Sequence, residues 1–90
     1  MRSVLKFPIP GTSRAVIPMP KGAIVLTAHM QRDTCCLWAD VPDRDAPPEE
    51  RSFFVMPTGG ACDPGWAYVA TVFDGPYAWH VFEDRAEGGR

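Results

Sequence analysis

The chain lacks a long apolar run, a basic cluster and a cysteine framework, and each shortage removes a class of function. Its longest uninterrupted apolar stretches, Cys35 to Ala39 and Trp66 to Ala70, cover only five residues each. A membrane-spanning helix needs about 20, so no membrane partner is expected. Basic and acidic residues number 9 and 11 and are interspersed, for a formal net charge of −2. A long nucleic acid is held largely by releasing counterions to a basic surface, so none is expected as a partner. A single phosphate needs no such surface, because backbone N–H groups and one or two arginines can hold it. A small anionic ligand therefore stays open.

The three cysteines, Cys35, Cys36 and Cys62, are odd in number. Neighbours on a strand point to opposite faces, so Cys35 and Cys36 do not pair easily with each other. No C-x-x-C is present, and the spacings with His29 and His80 match no zinc pattern. Cys36 and His29 could share a hairpin face, which supplies at most two ligands; neither a metal nor a cofactor is expected. The opening Met1-Arg-Ser-Val-Leu-Lys6 has no apolar h-region, and with unpaired thiols this predicts a reducing cytoplasm. No segment repeats apolar residues at i, i+3, i+4 and i+7 over three turns, so no long helix is expected.

What the chain does have is breakers and rings. Ten prolines and eight glycines cut 90 residues into short pieces. The plainest signal is a C-terminal hairpin over Ala67 to Glu83. The runs Tyr68 to Phe73 and Tyr77 to Phe82 flank Asp74-Gly75-Pro76, and Gly tolerates the positive φ of a tight hairpin turn. Other strands are predicted over Val4–Phe7, Ser13–Met19, Ala23–Gln31, Cys35–Val41 and Arg51–Met56. Pro18 and Pro20 lack N–H donors and mark the second as an edge or a strand that ends early. In the third, Ile24, Leu26, Ala28 and Met30 share one face by alternation. The fifth has both faces apolar and reads as covered on both sides. Pro42 to Glu50, with Asp43, Asp45 and Glu49 among its prolines, reads as an exposed loop, and Pro57 to Gly65 as a glycine-rich one.

These pieces predict one all-β domain over residues 1–83, a compact antiparallel sandwich or small barrel of about six to seven short strands, followed by a polar tail over 84–90. So short a chain buries only about 60–65% of its unfolded surface. Three Trp, five Phe and two Tyr offset that shortage. They also point to aromatic surface covered by a partner, such as a second copy of the chain.

Six residues are candidate ligand contacts. Thr58, Gly59 and Gly60 follow a strand and could form a backbone nest for an anion, or a plain connection. They lack the Lys of a P-loop, and no helix follows. Arg51 could clamp a phosphate bidentately, or pair with Glu49, Glu50 or Asp40. Trp66 beside the glycine loop could stack a base, as could Trp38, Trp79 and Tyr68; the alternative for each ring is core or subunit interface. His80 shares a face with Ala78 and Phe82 and could donate to a phosphate or base, or satisfy a neighbouring carbonyl. No catalytic residue is expected. Glu83 is the acid nearest His80, but its odd separation turns it to the opposite face.

Lys6-Phe7, Met19-Pro20-Lys21-Gly22-Ala23, Leu37-Trp38-Ala39, Thr58-Gly59-Gly60 and the closing Trp79-His80-Val81-Phe82-Glu83 together resemble a family of small phage and prophage proteins without assigned function. The likeness covers roughly residues 5 to 83. In that family the glycine loop more often reads Gly-Thr-Gly, where this chain has Pro57-Thr58-Gly59-Gly60. The resemblance implies a phage-encoded protein working in the host cytoplasm. By class-level analogy with other small phage proteins, it implies an anti-defence accessory factor that sequesters a small nucleotide-derived immune signal without cleaving it. Such a protein would be a homo-oligomer with the ligand between subunits. The alternatives are an interaction module that inhibits a host protein directly, a virion structural protein, and a nucleotide hydrolase.

Overall fold

Alternating apolar and polar residues between proline and glycine breaks produce seven strands: β1 (Ser3–Pro8), β2 (Arg14–Pro20), β3 (Ile24–Gln31), β4 (Thr34–Val41), β5 (Pro48–Pro57), β6 (Trp66–Asp74) and β7 (Tyr77–Asp84). The structure is a computed structural model and describes residues 2–10 and 13–85. Every pairing is antiparallel, and there is no helix among the described residues. A three-stranded sheet has the order β1-β4-β3 and a four-stranded sheet the order β2-β5-β7-β6. The two pack as a small sandwich, with β3 lying against β6 where the sheets approach on one side. The proline-rich β2 is an edge strand, paired only with β5.

The core is filled by the inward halves of the strands: Ile17 and Met19 from β2, Leu37, Ala39 and Val41 from β4, Phe53 from β5, Val72 from β6 and Val81 from β7. Burial of such side chains is the main term holding the sheets together, at about 1.5–3 kcal/mol for each large one.

Three expectations are corrected. First, strict alternation in β3 fails at a bulge between Val25 and Thr27. The extra residue, Leu26, reverses the parity, so Val25, Ala28 and Met30 face the core while Ile24 and Leu26 are exposed. A bulge adds one unpaired residue and exchanges the faces beyond it. Second, Pro48 to Glu50 belong to β5 rather than to the preceding loop, because they pair with Pro18 to Pro20. Third, β5 is covered on one face only. Phe53 is fully buried under the other sheet, whereas Phe54 and Met56 are half-buried among side chains of their own sheet. Of the tail expected over 84–90, Asp84 closes β7, the Arg85 N–H donates to the Gly65 carbonyl at 3.0 Å, and 86–90 lie outside the described residues.

Two hairpin turns set the register. Asp74 pairs with Tyr77, so the loop is Gly75-Pro76, with Gly75 at φ 57°. A Gly with positive φ at the first loop position, followed by Pro with its fixed negative φ, is the arrangement of a type II′ turn. Gln31 pairs with Thr34 around Arg32-Asp33, and there Arg32 takes φ 56° without being a glycine. A Cβ at Gly75 would meet nothing within 4 Å, so any cost of adding one is conformational. Urea denaturation is expected to show Gly75→Ala losing about 1 kcal/mol and Arg32→Gly gaining about 0.5–1 kcal/mol.

Candidate functional site

The sequence candidates divide between two places. Arg51 goes inside. Its position on β5 shares the inward parity of Phe53, so it is buried, and its partner is Glu83 on the neighbouring strand β7. Nε donates to Glu83 Oε2 at 2.6 Å, Nη2 to Oε1 at 3.0 Å, and Nη1 to the Ala23 carbonyl at 2.5 Å. Arg85 approaches the same carboxylate at 3.4 Å from the surface. Its guanidinium is therefore engaged inside by Glu83 and the Ala23 carbonyl, away from the other five candidates. None of the carboxylates weighed for it is its partner: Asp40 is held by Arg2 Nε at 2.7 and 2.8 Å.

The other five lie on or beside the outward face of the four-stranded sheet. Thr71 on β6 and Met56 on β5 flank His80 on β7. His80 Nε2 lies 2.7 Å from Thr58 Oγ1, and its Nδ1 lies 3.0 Å from Thr71 Oγ1. Thr71 Oγ1 is in turn 2.8 Å from the Tyr68 hydroxyl. Thr58, His80, Thr71 and Tyr68 thus form one hydrogen-bonded line in which the hydroxyls adapt to either imidazole tautomer. Glu83 faces the opposite way, into the core.

Thr58, Gly59 and Gly60 form a tight turn rather than an open nest. The Gly60 N–H donates to the Pro57 carbonyl at 2.9 Å, and Gly59 takes φ 89°. A Cβ on Gly60 would lie 3.0 Å from the Pro57 carbonyl oxygen and 3.3 Å from Met56 Cε, so close approach also favours glycine there. With one amide engaged inside the turn, the loop's part in the site reduces to the Thr58 hydroxyl held against His80.

Trp66 sits at the other end of the same face. It stacks on Phe54 with centroids 4.0 Å apart and planes 12° from parallel, and lies tilted 6.0 Å from Phe82. Tyr68 meets Phe82 edge-on at 5.9 Å, and Arg14 places its guanidinium 6.0 Å from the Phe54 centroid. One face of Trp66 is thus already occupied. The well-exposed rings on β6 are Tyr68 at 61% and Phe73 at 71%, and Tyr77, at 62%, opens β7 with its ring 6.4 Å from Trp79 on the opposite side of the sheet. Trp79 faces inward and packs against the core.

Sequence reasoning missed Thr71, Phe54, Phe82 and Arg14. Thr71 was within reach, since a two-residue loop at Gly75-Pro76 places Thr71 opposite His80. Phe82 already shared His80's face by alternation, whereas Phe54 and Arg14 depended on knowing that β5 lies between β2 and β7. On the three-stranded sheet, His29 pairs with Cys36 and lies edge-on to Trp38 at 6.2 Å. Among the described residues no three His, Cys, Asp or Glu side chains converge on a point that could hold a metal.

The buried ion pair makes a sharp expectation. Leaving one partner without the other strands a charge away from water, at about 3–5 kcal/mol. Arg51→Met and Glu83→Gln are each expected to lower stability by that much in guanidinium titration. Arg51→Met combined with Glu83→Leu is expected to recover most of the loss. Additive losses in the double variant would show that the two groups do not act as a pair.

A family model described as Domain of unknown function (DUF7352) matches residues 1–90. No curated protein and no solved structure matches the chain.

Proposed function

The chain belongs to the DUF7352 family, a domain of unknown function, and we propose that it is an accessory protein that binds a small nucleotide-derived defence signal and holds it without cleaving it. The observation that carries this reading is one exposed sheet face. There the Tyr68, Phe82 and Trp66 rings, the Thr58–His80–Thr71 line and the Arg14 guanidinium lie together. Exposed aromatics on a four-stranded antiparallel sheet are a recurring platform for nucleotide bases. Each stacked base contributes about 1–3 kcal/mol. Tyr68 offers the open ring, Trp66 the flanking wall, Arg14 a cation for phosphate and the Thr58 hydroxyl, held by His80, a hydrogen bond to phosphate or sugar.

Binding without turnover is favoured by the placement of Glu83. A general base needs an orienting partner within hydrogen-bond reach, and both His80 ring nitrogens meet threonine hydroxyls while the nearest strand carboxylate is sealed inside with Arg51. The phage origin rests on the sequence resemblance alone, and the cytoplasmic setting on that resemblance together with the odd, unpaired cysteines. The exposure of Tyr68 and Phe73 favours a second copy on this face, so that ligand and subunit contact share it. The same exposure favours the second reading, direct binding of a host protein.

The test is capture and release. The protein is incubated with cyclic dinucleotides, cyclic trinucleotides and ADP-ribose-derived signals, filtered and heated, and both fractions are read by mass spectrometry. One signal is expected to leave the free pool and return intact. Tyr68→Ala and Arg14→Ala are each expected to weaken its retention about tenfold or more, and Cys62→Ser to leave it unchanged. An altered product would replace the proposal with an enzyme, and depletion of none would favour the host-protein reading. Light scattering is expected to give an oligomer that Phe73→Glu dissociates; a monomer at high micromolar concentration would remove the shared-face arrangement.

A further inference from the structure

The two ends of the sandwich are not alike. Towards one end Arg51 and Glu83 are buried and paired, with Arg51 bound to the Ala23 carbonyl at the β2–β3 turn. At the other the space between the sheets opens into a cleft of about 720 Å³. The cleft lies between the β3–β4 turn, the β6–β7 turn and the segment that follows β1. Met30, Cys35, Val72 and Trp79 contribute apolar lining, and the charged groups among the described lining residues are Asp33 and Asp74, both exposed in the hairpin turns at the mouth.

This volume falls within the range of about 300–1,000 Å³ that holds small ligands, and an apolar lining with a few polar groups at one side is the usual make-up of such sites. The sign of the mouth narrows the occupant. Two carboxylates, with no Lys or Arg among the described lining residues, disfavour a phosphate or fatty carboxylate and favour a positive head. We propose that the cleft is a binding site for a small apolar molecule bearing a cationic group, its body against Met30, Val72 and Trp79 and its head between Asp33 and Asp74. This site is separate from the outward sheet face and takes a ligand of opposite charge.

Cys35 supplies a built-in reporter. Its thiol is pushed up first by burial and then by the neighbouring Cys36, which slows its alkylation at neutral pH, and Cys62, exposed in the glycine-rich loop, serves as the accessible reference thiol. An occupied cleft shields it further.

The experiment uses the full chain with 13C-methyl methionine and two probes of equal chain length, decyltrimethylammonium and decanoate, each below its micellar concentration. Met30 reports the cleft, and the fully buried Met19 reports the core. Decyltrimethylammonium is expected to shift Met30 but not Met19, to slow alkylation of Cys35 but not Cys62, and to bind about tenfold tighter than decanoate. Asp33→Asn with Asp74→Asn, both in exposed turns, is expected to cut that preference below about twofold while leaving the Met30 shift. If neither probe moves Met30 at about 1 mM, the cleft is not a ligand site. Decanoate binding as tightly as the cation would overturn the assignment of the head group. Parallel shifts of Met19 and Met30 would mean that the probe disrupts the core, and would also overturn it.

Discussion

The pairing of Arg51 with Glu83 is the constraint around which the four-stranded sheet is built. Both groups are almost fully buried, and they lie on adjacent central strands, β5 and β7. Removing two charges from water is expensive, and their attraction offsets that only when geometry and hydrogen bonding are complete. Here two N–H groups meet the two carboxylate oxygens, and the third direction is filled by the Ala23 carbonyl at the β2–β3 turn. No buried side-chain polar atom lacks a partner among the described residues. The pair therefore ties β5 to β7 and reaches back to the β2–β3 turn that joins the two sheets. A one-residue slip of either strand would send a charge to the surface and leave its partner stranded, so the pair also specifies register.

That constraint decides what is left for function. The cation most readily read as a phosphate clamp is withdrawn, and with it the acid nearest His80 in sequence. The outward face keeps an imidazole between hydroxyls, a set of rings and Arg14. The inward space keeps an apolar cleft whose mouth is acidic. The two proposed sites use different parts of a thin sandwich, one an outward sheet face and the other the cleft between two hairpin turns.

Much of the fold was legible because strand periodicity and turn chemistry are local. Asp74-Gly75-Pro76 marked the hairpin, the prolines of β2 marked an edge, and parity put His80 and Glu83 on opposite faces. The failures were of two kinds. Bulges are invisible to alternation, so Leu26 was grouped on one face with Ala28 and Met30, which turn to the core while Leu26 is exposed. Ring burial is also ambiguous: Phe54 and Met56 look like core from their pattern, yet they are half-covered only by neighbours on their own sheet. At the candidate site, the sequence supported grouping Thr58 with His80 only loosely, and it could not separate Arg51 from them.

The chain alone determined an all-β class, about seven short strands, their turns and most of their inward and outward residues, because these depend on neighbours within a few positions. Only the tertiary structure decided which strands adjoin. That choice gave Arg51 to Glu83, set Thr58 against His80, stacked Trp66 on Phe54 and left the cleft between the two turns. Each of these contacts joins residues 12 to 32 positions apart. Such pairings are set by how two sheets bury their apolar faces together, and no local pattern carries that information.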